Sequence, residues 1–94
     1  MALYLISYDI AERDKFEYGP LWTKLEELGA TKILYSEWVV VGETGTAKSI
    51  YGHIAPLTRQ SDRLLVQEVT TDAKWDKLLI DDEAFRALVA HARG

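Results

Sequence analysis

The apolar segment at residues 2–10 constrains the fold of this chain more than any other stretch. Its even-numbered positions are apolar to the end, at Tyr4, Ile6, Tyr8 and Ile10. Its odd-numbered positions change along the segment from leucine to Ser7 and Asp9. Because successive side chains of a strand point to opposite faces, this alternation predicts a β-strand. Asp9 then lies at the carboxyl end of the strand, on the rim of a half-buried face.

Three segments have the spacing of amphipathic helices. The first covers residues 20–28, with a proline in its first turn and a glycine after its last leucine. The second covers residues 46–55, between a threonine that can cap it and a proline that closes it. The third begins at Asp81 or Asp82 with an acidic cap and continues to the C-terminal residues.

Further strands are predicted where β-branched and aromatic residues are concentrated. The stretch TKILYSEWVVVGE is longer than the common strand of about five or six residues. Its polar pair Ser36-Glu37 therefore predicts a bend or hairpin between two strands at residues 32–35 and 38–41. The stretch DRLLVQEV, at residues 62–69, predicts one more strand.

The order of these elements is strand, helix, strand, strand, helix, strand, followed by a C-terminal appendix. This order is the split βαβ pattern of ferredoxin-like α+β domains. We predict a single ferredoxin-like domain over residues 1–94, with an antiparallel sheet and an extra C-terminal segment and helix. Residues 70–80 fit either an edge strand or an irregular crossing. One face of such a sheet carries the helices, and self-association is the simplest way to cover the other face.

The size of the chain also favours self-association. A domain of 94 residues buries only about 60–65% of the surface that its unfolded form exposes. A hydrophobic content of 48% is high for so small a monomer, so we expect part of the apolar surface to form a homodimer interface. The chain has no cysteine, which excludes disulfides and thiolate metal sites.

Charge and hydropathy limit the classes of partner. The net charge is −4, and the eleven lysines and arginines are scattered along the chain. Binding of RNA or DNA would therefore use a small local site rather than a broad positive surface. We expect no secretory leader, and no apolar stretch approaches the roughly 20 residues of a membrane span. We expect a cytoplasmic protein that does not bind membranes.

Asp9 has two interpretations from its local sequence. A strand-terminal aspartate commonly caps the following turn through its side-chain oxygens. Alternatively, Asp9 projects onto a dimer interface and meets its counterpart, so that two carboxylates share one divalent cation. Mg²⁺ prefers one or two carboxylates together with waters and phosphate oxygens. A metal held in this way can activate water and neutralise a phosphoryl transition state.

Three stretches, LYLISYDIAERDK, LEELGATKI and LYSEW, resemble CRISPR-associated protein two, the small partner of the spacer-acquisition integrase, and its related toxin ribonucleases. The resemblance spans roughly residues 2–70 in order and spacing. It implies a ferredoxin-like fold and a symmetric homodimer in which the first-strand aspartates face each other as metal ligands. Members of this family include both metal-dependent nucleases and structural subunits.

The resemblance assigns roles to four residues. Asp9 is implied as the catalytic and metal-binding residue, with Tyr8 as its neighbour. Ser36 corresponds to the serine of the second-strand motif, and Arg13 to the basic residue after the aspartate. We expect Tyr8, Arg13 and Ser36 to contact the substrate.

The sequence thus favours a metal-dependent endonuclease that hydrolyses RNA or DNA with Mg²⁺ at its dimer interface. The alternative is a non-catalytic homodimeric scaffold that presents its helices to a partner protein. Glu37 is either a solvent-facing residue at a bend or a second carboxylate near the metal. The three tryptophans are expected in the core or an interface, with stacking on bases as the alternative. His53 and His91 are far apart and lack metal-ligand spacing.

Overall fold

The computed structural model describes residues 1–10 and 18–94, so the predicted substrate ligand Arg13 lies outside the described residues. The structure is a small α+β domain, as predicted. Its strands are β1 (Ala2–Asp9), β2 (Thr31–Leu34), β3 (Glu37–Gly42) and β4 (Arg63–Val69). Its helices are α1 (Gly19–Glu27), α2 (Ala47–Ile54) and α3 (Asp82–Arg93), with a short 3₁₀ turn at Ala55–Leu57. Within the described ranges, no helix is both long and apolar enough to cross a membrane.

The four strands form one sheet in the order β2-β3-β1-β4, and every neighbouring pair is antiparallel. Helix α1 joins β1 to β2, which are not neighbours because β3 lies between them. Helix α2 likewise joins β3 to β4 across β1. Strand β1 is therefore an interior strand, and its carboxyl end lies between the start of β3 and the start of β4.

The even-numbered face of β1 packs against α1 and α2. Tyr4, Ile6 and Tyr8 are buried there together with Leu21 and Leu25 of α1 and Ile54 of α2. The helix forms as its leucine spacing predicts, and Gly29 ends it with a φ of 84°, a conformation that costs glycine little. Burial of each large side chain in this layer contributes about 1.5–3 kcal/mol.

The opposite face of the sheet is partly covered by α3 of the same chain. Phe85 and Val89 of α3 are buried against Leu3 of β1 and Val39 of β3. Asp81 caps the N-terminus of α3, and its Oδ1 accepts a hydrogen bond from the Ala84 amide at 2.8 Å. The face on which self-association was expected is thus already covered at the Leu3 end by the C-terminal helix. The homodimer stays a prediction.

Residues 70–81 form an irregular crossing, with no strand assigned to them. This segment reaches the free edge of β2, where the Leu79 amide donates to the Ile33 carbonyl at 2.9 Å. Trp75 packs edge-on against Phe85, with ring centroids 4.7 Å apart. The segment therefore covers part of the free edge of β2 and connects β4 to α3 on the second face of the sheet.

Candidate functional site

An open groove of about 280 Å³ lies at the carboxyl end of β1. It contains three of the four predicted site residues, namely Tyr8, Asp9 and Ser36. The groove is lined by Ser7, Tyr8, Asp9, Ser36, Glu37, Arg63, Leu64 and Leu65. It lies beyond the part of the sheet that α3 covers, so its floor is open to solvent.

Strand register brings these side chains together. Ser7 lies opposite Glu37 of β3 and opposite Leu65 of β4, on the same face as Asp9. The Tyr8 amide donates to the Ser36 carbonyl at 3.1 Å, which fastens the β2–β3 turn to the end of β1. The groove is therefore formed by the aligned ends of three strands and the turn that joins β2 to β3.

Asp9 forms a solvent-exposed ion pair with Arg63. These two residues are directly opposite in the β1–β4 register, and Arg63 Nη1 lies 3.6 Å from Asp9 Oδ2. The Asp9 side chain is 74% exposed and that of Arg63 is 85% exposed. An ion pair of this exposure contributes about 0–1 kcal/mol to stability. A ligand or cation can therefore displace Arg63 from the carboxylate at small cost.

Sequence reasoning missed Arg63. The residue is the first of β4 and follows a turn, which gave no sign of a binding role. The only signal that identifies it is the pairing of β4 with β1, because antiparallel pairing places the start of β4 beside the end of β1.

The Tyr8 side chain is buried, whereas that of Asp9 is exposed. The Tyr8 ring lies on the face of the sheet that α1 and α2 cover. Its hydroxyl oxygen accepts hydrogen bonds from the indole N–H groups of Trp22 and Trp38, each at 3.1 Å. The predicted contact of Tyr8 with a substrate remains a prediction, whereas its contact with the two tryptophans fixes the end of β1 to α1 and β3.

Glu37 is the first residue of β3 rather than part of a bend. The predicted break at Ser36-Glu37 lies one residue earlier, because the turn comprises Tyr35 and Ser36. Glu37 is half-buried and lines the groove. The groove thus receives two carboxylates, Asp9 and Glu37, from adjacent strands.

The donor atoms in the groove match the preference of Mg²⁺ for oxygen ligands. Mg²⁺ usually takes one or two carboxylates and retains several waters, and Asp9 and Glu37 could supply the carboxylates. Among residues 1–10 and 18–94, no group of three or more histidine, aspartate or glutamate side chains is placed to hold a metal. His53 and His91 are exposed, on helices that pack on opposite faces of the sheet.

The sequence matches no family model. The resemblance of residues 2–70 to the CRISPR-associated protein two family stays a prediction.

Proposed function

We propose that this chain is a subunit of a homodimeric, metal-dependent phosphodiesterase that cleaves RNA or DNA. The observation that carries the proposal is the exposed Asp9–Arg63 pair in an open groove at the carboxyl end of β1. A carboxylate and a guanidinium that are both accessible give one group for a divalent cation and one for a phosphate.

We also propose that the fold is ferredoxin-like and related to that of CRISPR-associated protein two. The support is the strand order β2-β3-β1-β4, with antiparallel neighbours and two helices that each join strands separated by a third. This is the arrangement expected of a split βαβ domain.

In this proposal, Asp9 holds Mg²⁺ together with its counterpart in a second copy of the chain. Bound Mg²⁺ would neutralise charge that develops on the phosphoryl oxygens and activate the attacking water. Arg63 leaves the carboxylate and holds the scissile phosphate, since a guanidinium can donate two parallel hydrogen bonds to phosphate oxygens. Arg13, which by the resemblance corresponds to the basic residue after the aspartate, would add a second positive charge.

The proposal includes a second copy because the resemblance implies that Asp9 and its counterpart share the cation. Two leucines at the open end of the sheet support the pairing. Leu65 of β4 is about half exposed on the Asp9 face, and Leu34 of β2 is exposed opposite Glu37. Contact between these leucines in two copies would remove apolar surface from water and bring the two Asp9 residues toward each other.

A non-catalytic scaffold is the second candidate function. It is favoured by the same ion pair, because Arg63 already compensates the charge of Asp9 without a metal. In this case the homodimer presents its helices to a partner protein.

Cleavage of short single-stranded RNA and DNA with Mg²⁺ or Mn²⁺ distinguishes the two functions. We expect wild type to cleave and Asp9→Asn to lose at least about a hundredfold in rate, as is usual for loss of a transition-state contact. Asp72→Asn is the matched control, because Asp72 is an exposed aspartate outside the groove. Size-exclusion chromatography should give the same dimer for all three proteins.

Equal activity in wild type and Asp9→Asn would contradict the proposed catalytic site. Absence of cleavage by wild type with both metals and both nucleic acids would favour the scaffold.

A further inference from the structure

An exposed cluster of two aromatic rings and an ammonium group lies on the face of the sheet that α1 covers, at the same end of the sheet as the groove. Lys32 Nζ lies 5.6 Å from the ring centroid of Trp22 and 5.9 Å from that of Tyr35. Trp22 is 40% exposed and Tyr35 is 78% exposed. We call Trp22, Lys32 and Tyr35 the aromatic platform. Both contacts are cation–π interactions, and both rings remain accessible to a ligand from solvent.

The aromatic platform is held in place by the core beneath it. The Trp22 indole N–H donates to the Tyr8 hydroxyl, and Lys32 pairs in register with Trp38, which donates to the same hydroxyl. Tyr35 belongs to the turn that the Tyr8 amide fastens through the Ser36 carbonyl. The backbone of these elements is already ordered in the free protein. Binding of a ligand would therefore cost little conformational entropy in the protein.

We propose that the aromatic platform binds single-stranded nucleic acid, with one base stacked on the exposed face of Tyr35 and a phosphate beside Lys32. Aromatic side chains stack on unpaired bases of any sequence, and a neighbouring cation contacts the backbone. A base-paired duplex does not present the face of a base to such a ring. The net charge of −4 gives no broad positive surface for a duplex backbone.

The turn that joins β2 to β3 lies between the aromatic platform and the groove. Tyr35 is adjacent in sequence to Ser36, which lines the groove that contains Asp9 and Arg63. A strand whose base stacks on Tyr35 would pass around the β2–β3 turn at the end of the sheet to reach Arg63 on the other face. The choice of nucleic acid as the ligand rests on the proposed function, and the inference adds the strandedness and the stacking residue.

Fluorescence anisotropy of a short labelled single strand tests this inference, in EDTA and at low ionic strength so that binding is measured without cleavage. Loss of one stacked base weakens binding by about 5- to 160-fold, which we expect for Tyr35→Ala. Tyr35→Phe keeps the ring and should bind as wild type does. Tyr51→Ala is the matched control, since Tyr51 is a 46% exposed tyrosine on α2. Lys32→Gln should reduce the slope of log affinity against log salt by about 0.7.

Equal affinity of wild type and Tyr35→Ala, or absence of binding by wild type, would overturn the inference. Equal binding of single strand and duplex would also overturn it. If Tyr35→Ala weakens binding but no Asp9-dependent cleavage is found, the hydrolase proposal fails and the aromatic platform stands. If Asp9-dependent cleavage is found and Tyr35→Ala binds as wild type does, only the aromatic platform fails.

Discussion

Replacement of Tyr8 by phenylalanine tests whether this residue is a structural acceptor or a substrate ligand. The substitution removes the oxygen that accepts the indole N–H groups of Trp22 and Trp38 and leaves the ring in place. Trp38 is buried, so its N–H would lose its partner without access to water. An unsatisfied buried donor costs about 1–3 kcal/mol. Trp22 is partly exposed, so its N–H can turn to water at little cost.

We therefore expect Tyr8→Phe to lower the free energy of unfolding by about 2 kcal/mol, almost all of it from Trp38. For a domain of this size, that loss corresponds to a fall in Tm of about 8–16 °C. Urea unfolding followed by tryptophan fluorescence measures the free energy, and a thermal melt measures Tm. Tyr35→Phe is the control, because removal of an exposed hydroxyl changes stability by less than about 0.5 kcal/mol.

The reasoning is refuted if Tyr8→Phe is as stable as wild type. If Tyr8→Phe instead keeps its stability and loses affinity for nucleic acid, the hydroxyl contacts the ligand, as the resemblance implies. We expect instead a loss of stability, with affinity at temperatures well below Tm reduced less than by Tyr35→Ala, since the hydroxyl orders Trp22 and not the stacking ring.

Two further predictions concern the groove and the second face of the sheet. Arg63→Gln should change the free energy of unfolding by less than about 1 kcal/mol, because its ion pair with Asp9 is exposed. It should reduce the salt slope of single-strand binding by about 0.7, and an unchanged slope would exclude a phosphate contact. Phe85→Ala should lower the free energy of unfolding by about 3–5 kcal/mol, because it opens the layer between α3 and the sheet. A loss below about 1 kcal/mol in urea unfolding would show that α3 is not packed on that face.

The sequence predicted the helices and the position of Asp9 because these depend on local patterns. Leu21 and Leu25 are buried as their helical spacing requires, and Gly29 ends α1 in the left-handed conformation. Alternation along β1 placed Asp9 and Tyr8 on opposite faces, and their surroundings differ accordingly. Local spacing and alternation were enough for each of these features.

Features that depend on contacts between distant segments were not predicted. The apolar stripe of α3 was visible in the sequence, but its position on the second sheet face depends on the path of residues 70–81. Arg63 lies beside Asp9 only through the pairing of β4 with β1. The Tyr8 hydroxyl accepts hydrogen bonds from Trp22 of α1 and Trp38 of β3, which lie far from it in the sequence. No local sequence pattern predicts such contacts between distant segments.

Binding of Mn²⁺ to the purified protein, measured by the loss of the free-ion paramagnetic resonance signal, tests whether two Asp9 carboxylates share one divalent cation. We expect one ion per two chains in wild type and no such ion in Asp9→Asn, while Asp72→Asn binds as wild type does. Equal Mn²⁺ binding by wild type and Asp9→Asn, or a monomeric wild-type protein, would contradict this expectation.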